Sequence, residues 1–534
     1  MSVDHLANFS SINSKTMNSQ SEIPRPTPVH ICDVIGFWAD RSPDHPALIE
    51  TSGSWTYAQL AAVVSDTQTW LGTLGVRAGD RVMIVGENCR AFVAIFFAVA
   101  GLDAWPVVVN AGLSAREIEE IQKHCRARRV FYTASVSPNA AEHAARHGAE
   151  IVLRDGLGSV GVGPVNEEAE LEKIDANVGE RVAALIYTSG TTGLPKGVML
   201  THRNLLFMAA GSAAVRSVTP DDRLLGVLPM SHAVGLSVVL LGSLIAGASV
   251  YVTPRFDPMS ARVTLEKERI TLLFGTPAIF NQLIQYAKLR KLSSLHFPSL
   301  RIITSSGAPL DPVTKSAVEN LFGMTLHNGY GITECSPTIA LTRPDAPRTD
   351  ISIGPVFPGV EIRLLGSDRQ SVAAGEVGEL QVRGPNIMKG YYRNSEETTS
   401  AIDSEGWFNT RDLARLDDGN LFIVGRTKDL IVRRGFNVYP AEIEAVLNSH
   451  PAVVRSAVVG RTVDGDEEVV AFVELLPKST LSTQELSEYA AGSLARYKRP
   501  SQILVIAAMP TTVTGKIAKG ELKKVAETGV TASA

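Results

Sequence analysis

Tyr187-Thr188-Ser189-Gly190-Thr191-Thr192-Gly193-Leu194-Pro195-Lys196-Gly197 is the stretch that decides the fold. It follows the apolar run at residues 183–187, so it lies where a buried strand ends in a loop. Its glycines allow close approach of the backbone, and its hydroxyls and successive N–H groups can surround phosphate oxygens. Lys196 adds positive charge, while Pro195 stands where a Walker sequence has its second glycine. A flexible linker would not combine these donors with a buried strand, so the stretch predicts a phosphate-binding loop.

The composition is that of a folded protein of more than one domain. The 534 residues are 45% hydrophobic and 20% charged, which is enough apolar material for a large core. With 51 Lys and Arg against 55 Asp and Glu, the net charge is −4, which argues against a nucleic-acid binder. The four cysteines are far apart and form no CxxC pair: Cys32, Cys89, Cys125 and Cys335. This excludes a disulfide scaffold or zinc-finger array and predicts a cytoplasmic location.

Neither the N-terminal segment nor the long apolar run predicts insertion into a membrane. Residues 1–25 are rich in Ser and Asn and lack an apolar region, which predicts a disordered lead and no signal peptide. Residues 224–254 carry no Asp, Glu, Lys or Arg and are long enough to span a bilayer. Because Pro229 and His232 interrupt them, we expect a buried helix that leads into a strand at residues 248–253. Contact with a membrane surface stays open.

Apolar β-branched runs alternate with helical patterns, which predicts an α/β fold. The predicted strands of this part are at residues 81–85, 183–187, 249–253, 271–274 and 300–304. The predicted helices are at residues 116–124 and 311–321. Beyond Gly425 the pattern changes to α+β, with helices starting at Pro440 and Thr483 and strands at residues 431–432, 456–459, 469–475 and 503–506. We therefore expect a large domain over residues 26–427, a small domain over 428–525 and a tail over 526–534.

A second glycine-rich stretch is predicted to be unrelated to nucleotide binding. Gly156-Leu157-Gly158-Ser159-Val160-Gly161 matches GxGxxG, but Val162, Gly163 and Pro164 follow where a helix should begin. We expect a surface loop there.

Further motifs rich in glycine, hydroxyl and charged residues follow the phosphate loop. They are Ser305-Ser306-Gly307-Ala308-Pro309, Asn328-Gly329-Tyr330-Gly331-Ile332-Thr333-Glu334, Phe408-Asn409-Thr410-Arg411-Asp412, Arg426-Thr427-Lys428-Asp429, Arg433-Arg434-Gly435-Phe436 and Pro510-Thr511-Thr512-Val513-Thr514-Gly515-Lys516. The turn signal Asp418-Gly419 predicts a hairpin that brings Asp412 close to Arg426. Each motif alone is typical of a surface turn or a solvated charge. Together, and in this order, they resemble the signatures of the adenylate-forming superfamily over roughly residues 30–525.

This resemblance implies a large multi-subdomain adenylate-forming domain of α/β type, followed by a small mobile α+β domain. It implies that ATP is bound by Thr188, Ser189, Gly190, Thr191, Thr192, Gly193, Lys196, Ser306, Gly307, Ala308, Pro309, Asn328, Gly329, Tyr330, Gly331, Thr333, Asp412, Arg426 and Lys516. Tyr330 would stack on adenine, Asp412 and Arg426 would bind the ribose, and Glu334 would hold Mg²⁺ with ATP. The chain departs from the family at Arg411, where the usual residue is Gly.

The resemblance also assigns catalytic, hinge and coenzyme A residues. Lys516 would be catalytic, together with Thr188 and with His232 as a gate. Lys428 would be the hinge of a domain rotation. Coenzyme A would be bound by Arg433, Arg434, Gly435 and Phe436. The acyl pocket would be lined by His232, Val234, Gly235, Ser306, Gly307, Asn328, Gly329, Cys335, Ser336 and Pro337.

The implied reaction joins a carboxylic acid to coenzyme A. The acid would attack the α-phosphorus of ATP, expel pyrophosphate and form an acyl-adenylate, which the coenzyme A thiolate would then convert to a thioester. The acid would be a medium-to-long fatty acid or an aryl acid. Acetylation of Lys516 by an acetyltransferase, reversed by a deacetylase, would remove the charge of the catalytic lysine.

Several alternatives stay open. Arg255, in the turn Pro254-Arg255-Phe256-Asp257-Pro258, could pair with a second carboxylate, which would indicate a dicarboxylic acid. A luciferase-like oxygenase or an enzyme that stops at the adenylate shares the same motifs. A peptide-synthetase adenylation domain would need a carrier module, whereas 18 residues follow Lys516. A non-catalytic nucleotide-binding protein would not need Lys516 or Glu334. A homodimer is one open oligomeric state.

Overall fold

The computed structural model describes residues 27–189, 195–434, 436–463, 466–511 and 517–528. Several residues with predicted roles lie outside this part of the chain: Gly190, Thr191, Thr192, Gly193, Gly435 and Lys516, together with the predicted N-terminal lead at residues 1–25 and the end of the predicted tail at 529–534. The side chain of Ser189 is likewise outside the description. Strands and helices are numbered separately in chain order below.

One eight-stranded sheet is mostly parallel and has the spatial order β15-β14-β13-β12-β10-β11-β1-β2. Its strands are β1 (Pro46–Glu50), β2 (Gly53–Thr56), β10 (Arg223–Gly226), β11 (Ser249–Val252), β12 (Leu272–Gly275), β13 (Ile302–Ser306), β14 (Leu326–Gly331) and β15 (Thr338–Leu341). Strands β10 to β14 pair in parallel, so their carboxyl ends meet at one edge. Ligand sites of open α/β sheets lie at such an edge.

A second eight-stranded sheet carries the phosphate loop and has the order β18-β9-β8-β4-β3-β5-β7-β6. Its strands are β3 (Arg81–Gly86), β4 (Trp105–Asn110), β5 (Arg129–Tyr132), β6 (Glu150–Arg154), β7 (Gly158–Val162), β8 (Val182–Ser189), β9 (Pro195–Thr201) and β18 (Gly390–Tyr391). The central strand β3 is buried along its whole length. From Val82 to Val85 it therefore reads as a continuous apolar run in the sequence.

A four-stranded antiparallel sheet, in the order β16-β17-β19-β20, completes the large domain. It consists of β16 (Glu361–Leu365), β17 (Val377–Arg383), β19 (Phe408–Asp417) and β20 (Asn420–Arg426). In β17 buried and half-buried residues alternate, as expected for a sheet with one covered face.

The C-terminal part has its own three-stranded sheet and two apolar clusters. The ribbon β21 (Ile431–Arg433) and β22 (Phe436–Val438) leads into the sheet of β23 (Val453–Val463), β24 (Asp466–Leu475) and β25 (Gln502–Ile506). Val458 belongs to one cluster and its neighbours Ala457 and Val459 to the other, so the sheet is covered on both faces. This confirms the α+β pattern of a small second domain, while its boundary at residues 427 and 428 stays a prediction.

Fourteen helices accompany these strands in the described part of the chain. They are α1 (Asp33–Arg41), α2 (Tyr57–Thr73), α3 (Arg90–Gly101), α4 (Ala115–Cys125), α5 (Pro138–Arg146), α6 (His202–Val215), α7 (Gly242–Ile245), α8 (Pro258–Lys267), α9 (Pro277–Leu289), α10 (Pro312–Phe322), α11 (Ser395–Ala401), α12 (Pro440–Asn448), α13 (Thr483–Ser493) and α14 (Lys519–Thr528). Helix α10 starts as the sequence predicts, because Asp311 caps the N–H of Thr314 and Pro312 fills the first turn. Helix α14 extends three residues beyond residue 525, and Ala526 packs in the core.

The apolar run at residues 224–254 is divided among several buried elements. Strand β10 comes first, then a π-helix (Val234–Leu241) that continues into α7, and then strand β11. The predicted buried helix and strand are thereby confirmed. Within the described residues, no helix combines the length and apolarity needed to cross a bilayer.

The predicted surface loop at residues 156–161 is wrong. Gly156 takes a turn conformation with φ of 77°, but from Gly158 onward the chain forms strand β7 between β5 and β6. Val160 and Val162 are buried, and a Cβ at Gly161 would lie 2.9 Å from that of Ala144. The glycines therefore permit a turn and close packing.

Candidate active site

The segment that the sequence assigns to phosphate binding is flanked by two neighbouring strands of the second sheet, β8 and β9. Strands β8 and β9 pair antiparallel, with Thr188 opposite Lys196 and Ser189 opposite Pro195. Residues 190–194, between these strands, lie outside the described residues. The hairpin places the hydroxyl of Thr188 and the ammonium of Lys196 on either side of the loop that the sequence assigns to phosphate.

Lys196 belongs to a charged cluster that the sequence did not predict. Its Nζ donates to Oε1 of Glu397 at 2.5 Å and lies 5.3 Å from the centre of the Tyr391 ring. Arg411 donates from Nη2 to the same Oε1 at 3.2 Å. The hydrogen bond from Lys196 is the main reason that the pKa of Glu397 is below its usual value. Glu397 therefore stays ionised and holds both cations.

Tyr330, Asp412 and Arg426 come together beside this cluster. Strands β19 and β20 form the predicted hairpin, with Asp412 opposite Arg426 in the register. Arg426 Nε lies 3.0 Å from Asp412 Oδ1, and the hydroxyl of Tyr330 donates to Oδ2. Asp412 is only 3% exposed, and burial beside it raises the pKa of the Tyr330 phenol well above its usual range. The predicted proximity of Asp412 and Arg426 is confirmed, while their contact with ribose stays a prediction.

Arg411 keeps the backbone conformation that a glycine would take. Its φ is 58°, in the left-handed region that favours glycine. Its N–H donates to Asn409 Oδ1 at 2.8 Å, and its carbonyl accepts from Thr427 Oγ1 at 3.2 Å. The departure from the family pattern therefore changes the side chain and leaves the turn in place.

Glu334 lies at the start of a 3-10 turn (Thr333–Cys335) after β14. Its Oε1 accepts a hydrogen bond of 2.9 Å from the hydroxyl of Tyr391, and its carbonyl accepts from the N–H of Met388. In the described part of the chain, no group of three His, Cys, Asp or Glu side chains could hold a metal ion. A single carboxylate fits a Mg²⁺ ion whose other ligands are phosphate oxygens and water.

The loop at residues 305–309 lies at the carboxyl end of β13, as predicted. Ser306 is opposite Gly329 of β14, and Gly307 has φ of 83°. A Cβ at Gly329 or at Gly307 would meet its nearest neighbour at 3.7 Å, which is ordinary contact. At Gly331, in contrast, a Cβ would lie 1.9 Å from the carbonyl oxygen of Pro337. A methyl group at Gly307 or Gly329 would therefore meet no clash, whereas Gly331 serves close packing.

Other predicted residues near this edge have structural partners. The amide of Asn328 donates to the carbonyls of Ile351 and Ser352, and the hydroxyl of Ser336 donates to Asn386 O. A Cβ at Gly235 would lie 2.1 Å from the Pro229 carbonyl oxygen. The remaining predicted residues surround the same edge: Cys335 is fully buried, Val234, His232, Thr333 and Ala308 are half-buried, Pro337 is buried and Pro309 is exposed.

Arg255 is paired within the chain. Its Nε donates to Oε1 of Glu87, whose side chain is 7% exposed, while that of Arg255 is 56% exposed. The dicarboxylic interpretation, which needs Arg255 for a second carboxylate of the substrate, gains no support from this pairing.

The predicted hinge and coenzyme A segment follow β20. Lys428 is exposed in a 3-10 turn (Thr427–Asp429) between β20 and β21. Arg433 donates to the carbonyls of Tyr497 and Arg499, so its guanidinium already has partners in the small domain. Phe436 is 55% exposed and stacks on Tyr497 at 4.8 Å. The N–H of Arg434 donates to Asp466 Oδ1.

Tyr391 and Glu397 are site residues that sequence reasoning missed. They enter because β18 pairs with β9, with Tyr391 opposite Val198. A two-residue strand has no periodicity to detect. One sequence pattern could have indicated them: the stretch Gly390-Tyr391-Tyr392 comes just before Asn394, which is the N-cap of helix α11.

The site and the two-part fold define a class of enzyme. The profile described as AMP-binding enzyme matches residues 37–392, and that of the AMP-binding enzyme C-terminal domain matches residues 442–516. The chain belongs to the AMP-binding enzyme family, as its motifs predict. Within that family it is an acid–thiol ligase, which forms a coenzyme A thioester through an acyl-adenylate.

The chain is similar to several ligases and solved structures. It is 34% identical to a feruloyl-CoA synthase of Amycolatopsis sp over 498 residues, which are 92% of this chain and 98% of the relative. It is 34% identical to the indoleacetate–CoA ligase of Aromatoleum aromaticum, over 91% and 97% of the two chains. The ATP-bound crystal structure of MatB from Rhodopseudomonas palustris superposes with a TM-score of 0.81 at 28% identity, over 92% and 98%. O-Succinylbenzoate coenzyme A synthetase from Bacillus subtilis, in complex with ATP and magnesium ion, gives 0.79 at 30%, over 92% and 99%.

Proposed function

We propose that this ligase acts on an aromatic carboxylic acid that carries a polar ring substituent. The names of its relatives support an aryl acid, since they include feruloyl-CoA synthase, 4-coumarate–CoA ligase and indoleacetate–CoA ligase. The observation that supports a polar substituent on the substrate is a buried hydroxyl without a partner in the described part of the chain, two residues before the carboxyl end of β13.

That hydroxyl belongs to Thr304. Side chains alternate along a strand, so Thr304 and Ser306 point to the same face of β13. Thr304 is 2% exposed, and its Oγ1 has no hydrogen-bond partner among the described residues. A buried hydroxyl without a partner costs about 1–3 kcal/mol, which a hydroxyl or ether oxygen of the substrate would offset. A fatty acyl chain offers no such group.

The small residues of the same edge support a flat substrate. Gly307 and Gly329 carry no side chain at the ends of β13 and β14, and a Cβ at either position would have its nearest neighbour at 3.7 Å. Binding pockets for small molecules are mostly apolar, with a few polar groups that fix orientation. A ring lying against Gly329 would bring its substituent toward Thr304 and its carboxylate toward the phosphate loop.

The nucleotide would bind across two clusters, that of Tyr330, Asp412 and Arg426 and the charged one around Lys196. Tyr330, Asp412 and Arg426 would hold the nucleoside, while Thr188, Lys196 and the loop at residues 189–193 would hold the phosphates. Mg²⁺, brought in with ATP and held by Glu334, would neutralise charge on those phosphates. Lys516 would bring the acid carboxylate and the α-phosphate together by neutralising both, and loss of one such donor costs about 3–4 kcal/mol of barrier.

The thioester step would use the small domain. Rotation about Lys428 would withdraw Lys516 and present the segment at residues 433–436 to coenzyme A. The thiolate would attack the acyl carbon and displace AMP, so acid, ATP and coenzyme A would yield thioester, AMP and pyrophosphate.

A substrate panel with coenzyme A tests the proposal. Release of pyrophosphate is measured with 4-coumarate, ferulate, cinnamate, indoleacetate, octanoate, palmitate and malonate. We expect kcat/KM for 4-coumarate or ferulate to exceed that for either fatty acid by at least about tenfold, the effect of one satisfied buried hydroxyl. Thr304→Val should lower the preference for 4-coumarate over cinnamate, while Thr399→Val, on an exposed turn of α11, should leave it unchanged. A preference for palmitate or malonate would contradict the proposal.

A further inference from the structure

Glu397 lies between two cations, and only one of them has a predicted role in ATP binding. Lys196 and Arg411 both donate to Oε1 of its carboxylate, at 2.5 Å and 3.2 Å. Their side chains are 13% and 47% exposed, and that of Glu397 is 24% exposed. The more buried cation, Lys196, adjoins the phosphate loop.

Contact between Lys196 and a phosphate group competes with its contact to Glu397. The ammonium is tied to a carboxylate, and an ATP phosphate would have to draw it away. If Lys196 were the sole partner of Glu397, this move would leave a mostly buried carboxylate without a counter-charge, which is unfavourable.

Arg411 is held in place by its backbone. Its N–H donates to Asn409 and its carbonyl accepts from Thr427, so both sides of the residue are tied to neighbouring chain segments. Its guanidinium can therefore remain on Glu397 whether or not Lys196 does.

We propose that Arg411 is a positioning residue, which keeps Glu397 paired while ATP phosphates draw Lys196 away. Arg411 thus strengthens ATP binding by lowering the cost of moving Lys196. The inference rests on the proposed function for the contact between Lys196 and phosphate. It deepens that function at a position where this chain departs from its family.

The test is the affinity for Mg·ATP, measured by titration calorimetry on the full-length chain. Arg411→Gly should raise Kd roughly two- to fivefold, the range expected for one partly exposed charged contact. Because φ at this position suits glycine, the variant should unfold at the same temperature as the parent protein or higher. Arg415→Gln, on the same strand and paired with Asp417, is the matched control and should leave Kd unchanged.

The double variant separates positioning from a direct contact of Arg411 with the nucleotide. Glu397→Gln removes the competing carboxylate, so in Arg411→Gly/Glu397→Gln the affinity should return to within about twofold of that of Glu397→Gln alone. Arg411→Lys should retain most of the affinity. Unchanged affinity in Arg411→Gly, or no recovery in the double variant, would overturn the proposal, as would absence of Mg·ATP binding by the parent protein. A parent protein that binds Mg·ATP but forms no thioester would contradict the proposed function alone.

Discussion

Asp412 is a buried carboxylate with two partners of different kinds. The guanidinium of Arg426 balances its charge, and the hydroxyl of Tyr330 satisfies its second oxygen. The Arg426 side chain is half exposed, so one end of this pair is accessible from solvent. The geometry suits an acceptor for ribose hydroxyls.

Replacing Asp412 by Asn should therefore weaken ATP binding. The amide keeps the size of the side chain but removes the charge beside Arg426, and loss of one member of a hydrogen-bonded charge pair costs about 2–5 kcal/mol. We expect KM for ATP in pyrophosphate exchange to rise by at least about tenfold. Asp417→Asn is the control on the same strand, because Asp417 pairs with Arg415 near the hairpin turn. Equal effects of the two substitutions would count against a role for Asp412 in ATP binding.

Gly329 and Gly331 differ in what a methyl group would meet. Gly329→Ala should fold normally, because its Cβ has ordinary contacts, but should lower kcat/KM for the acid by about tenfold if the acyl group lies there. Gly331→Ala should lower stability by about 1–3 kcal/mol through overpacking against Pro337. Thermal unfolding and steady-state kinetics distinguish the two. A Gly329→Ala variant with unchanged kinetics for every acid would remove Gly329 from the pocket.

At the scale of elements, one continuous segment joins the cluster of Tyr330, Asp412 and Arg426 to the small domain. Strand β20 ends at Arg426, and the 3-10 turn with Lys428 follows at once. The hydroxyl of Thr427 lies within hydrogen-bond distance of both Glu379 of β17 and the carbonyl of Arg411, at 3.1 Å and 3.2 Å. A rotation about Lys428 would therefore start beside the residues proposed to hold the nucleotide.

A proline at position 428 tests whether this turn is the hinge. Proline fixes φ at about −65°, so it would permit one arrangement of the domains and hinder the other. Two rates are measured: adenylate formation, and thioester formation from pre-formed adenylate. We expect the substitution to change one of them at least about tenfold more than the other. Lys428→Ala, which keeps backbone freedom, should change neither rate by more than about twofold. Parallel loss of both rates in the proline variant would contradict the hinge.

At the scale of the whole molecule, local sequence patterns were sufficient to predict those parts of the structure that depend on residues close together in the chain. The strand before the phosphate loop, the hairpin that pairs Asp412 with Arg426 and the capped start of α10 all follow from short-range signals. The charged cluster does not, because Lys196 and Glu397 are 201 residues apart. Strand β7 was missed for a different reason: its hairpin partner β6 is adjacent in sequence, but Gly158 and Gly161 interrupt the apolar pattern of a strand.

Sequence patterns also could not predict which polar groups surround an individual residue. That Arg255 pairs with Glu87, or that Arg433 binds carbonyls of the small domain, depends on how separate segments pack. A family motif indicates that a residue belongs to the site. The hydrogen-bond and ion-pair partners of that residue decide which of its atoms are available to a ligand.

The most direct test of the account is the fate of α-labelled ATP incubated with 4-coumarate and coenzyme A. The parent protein should produce labelled AMP and 4-coumaroyl-CoA in equal amounts, and only when the acid is present. Lys516→Ala should lose AMP formation by at least about a hundredfold, yet still transfer pre-formed coumaroyl-adenylate to coenzyme A. Labelled ADP in place of AMP, or AMP release that does not depend on any acid, would contradict the assignment.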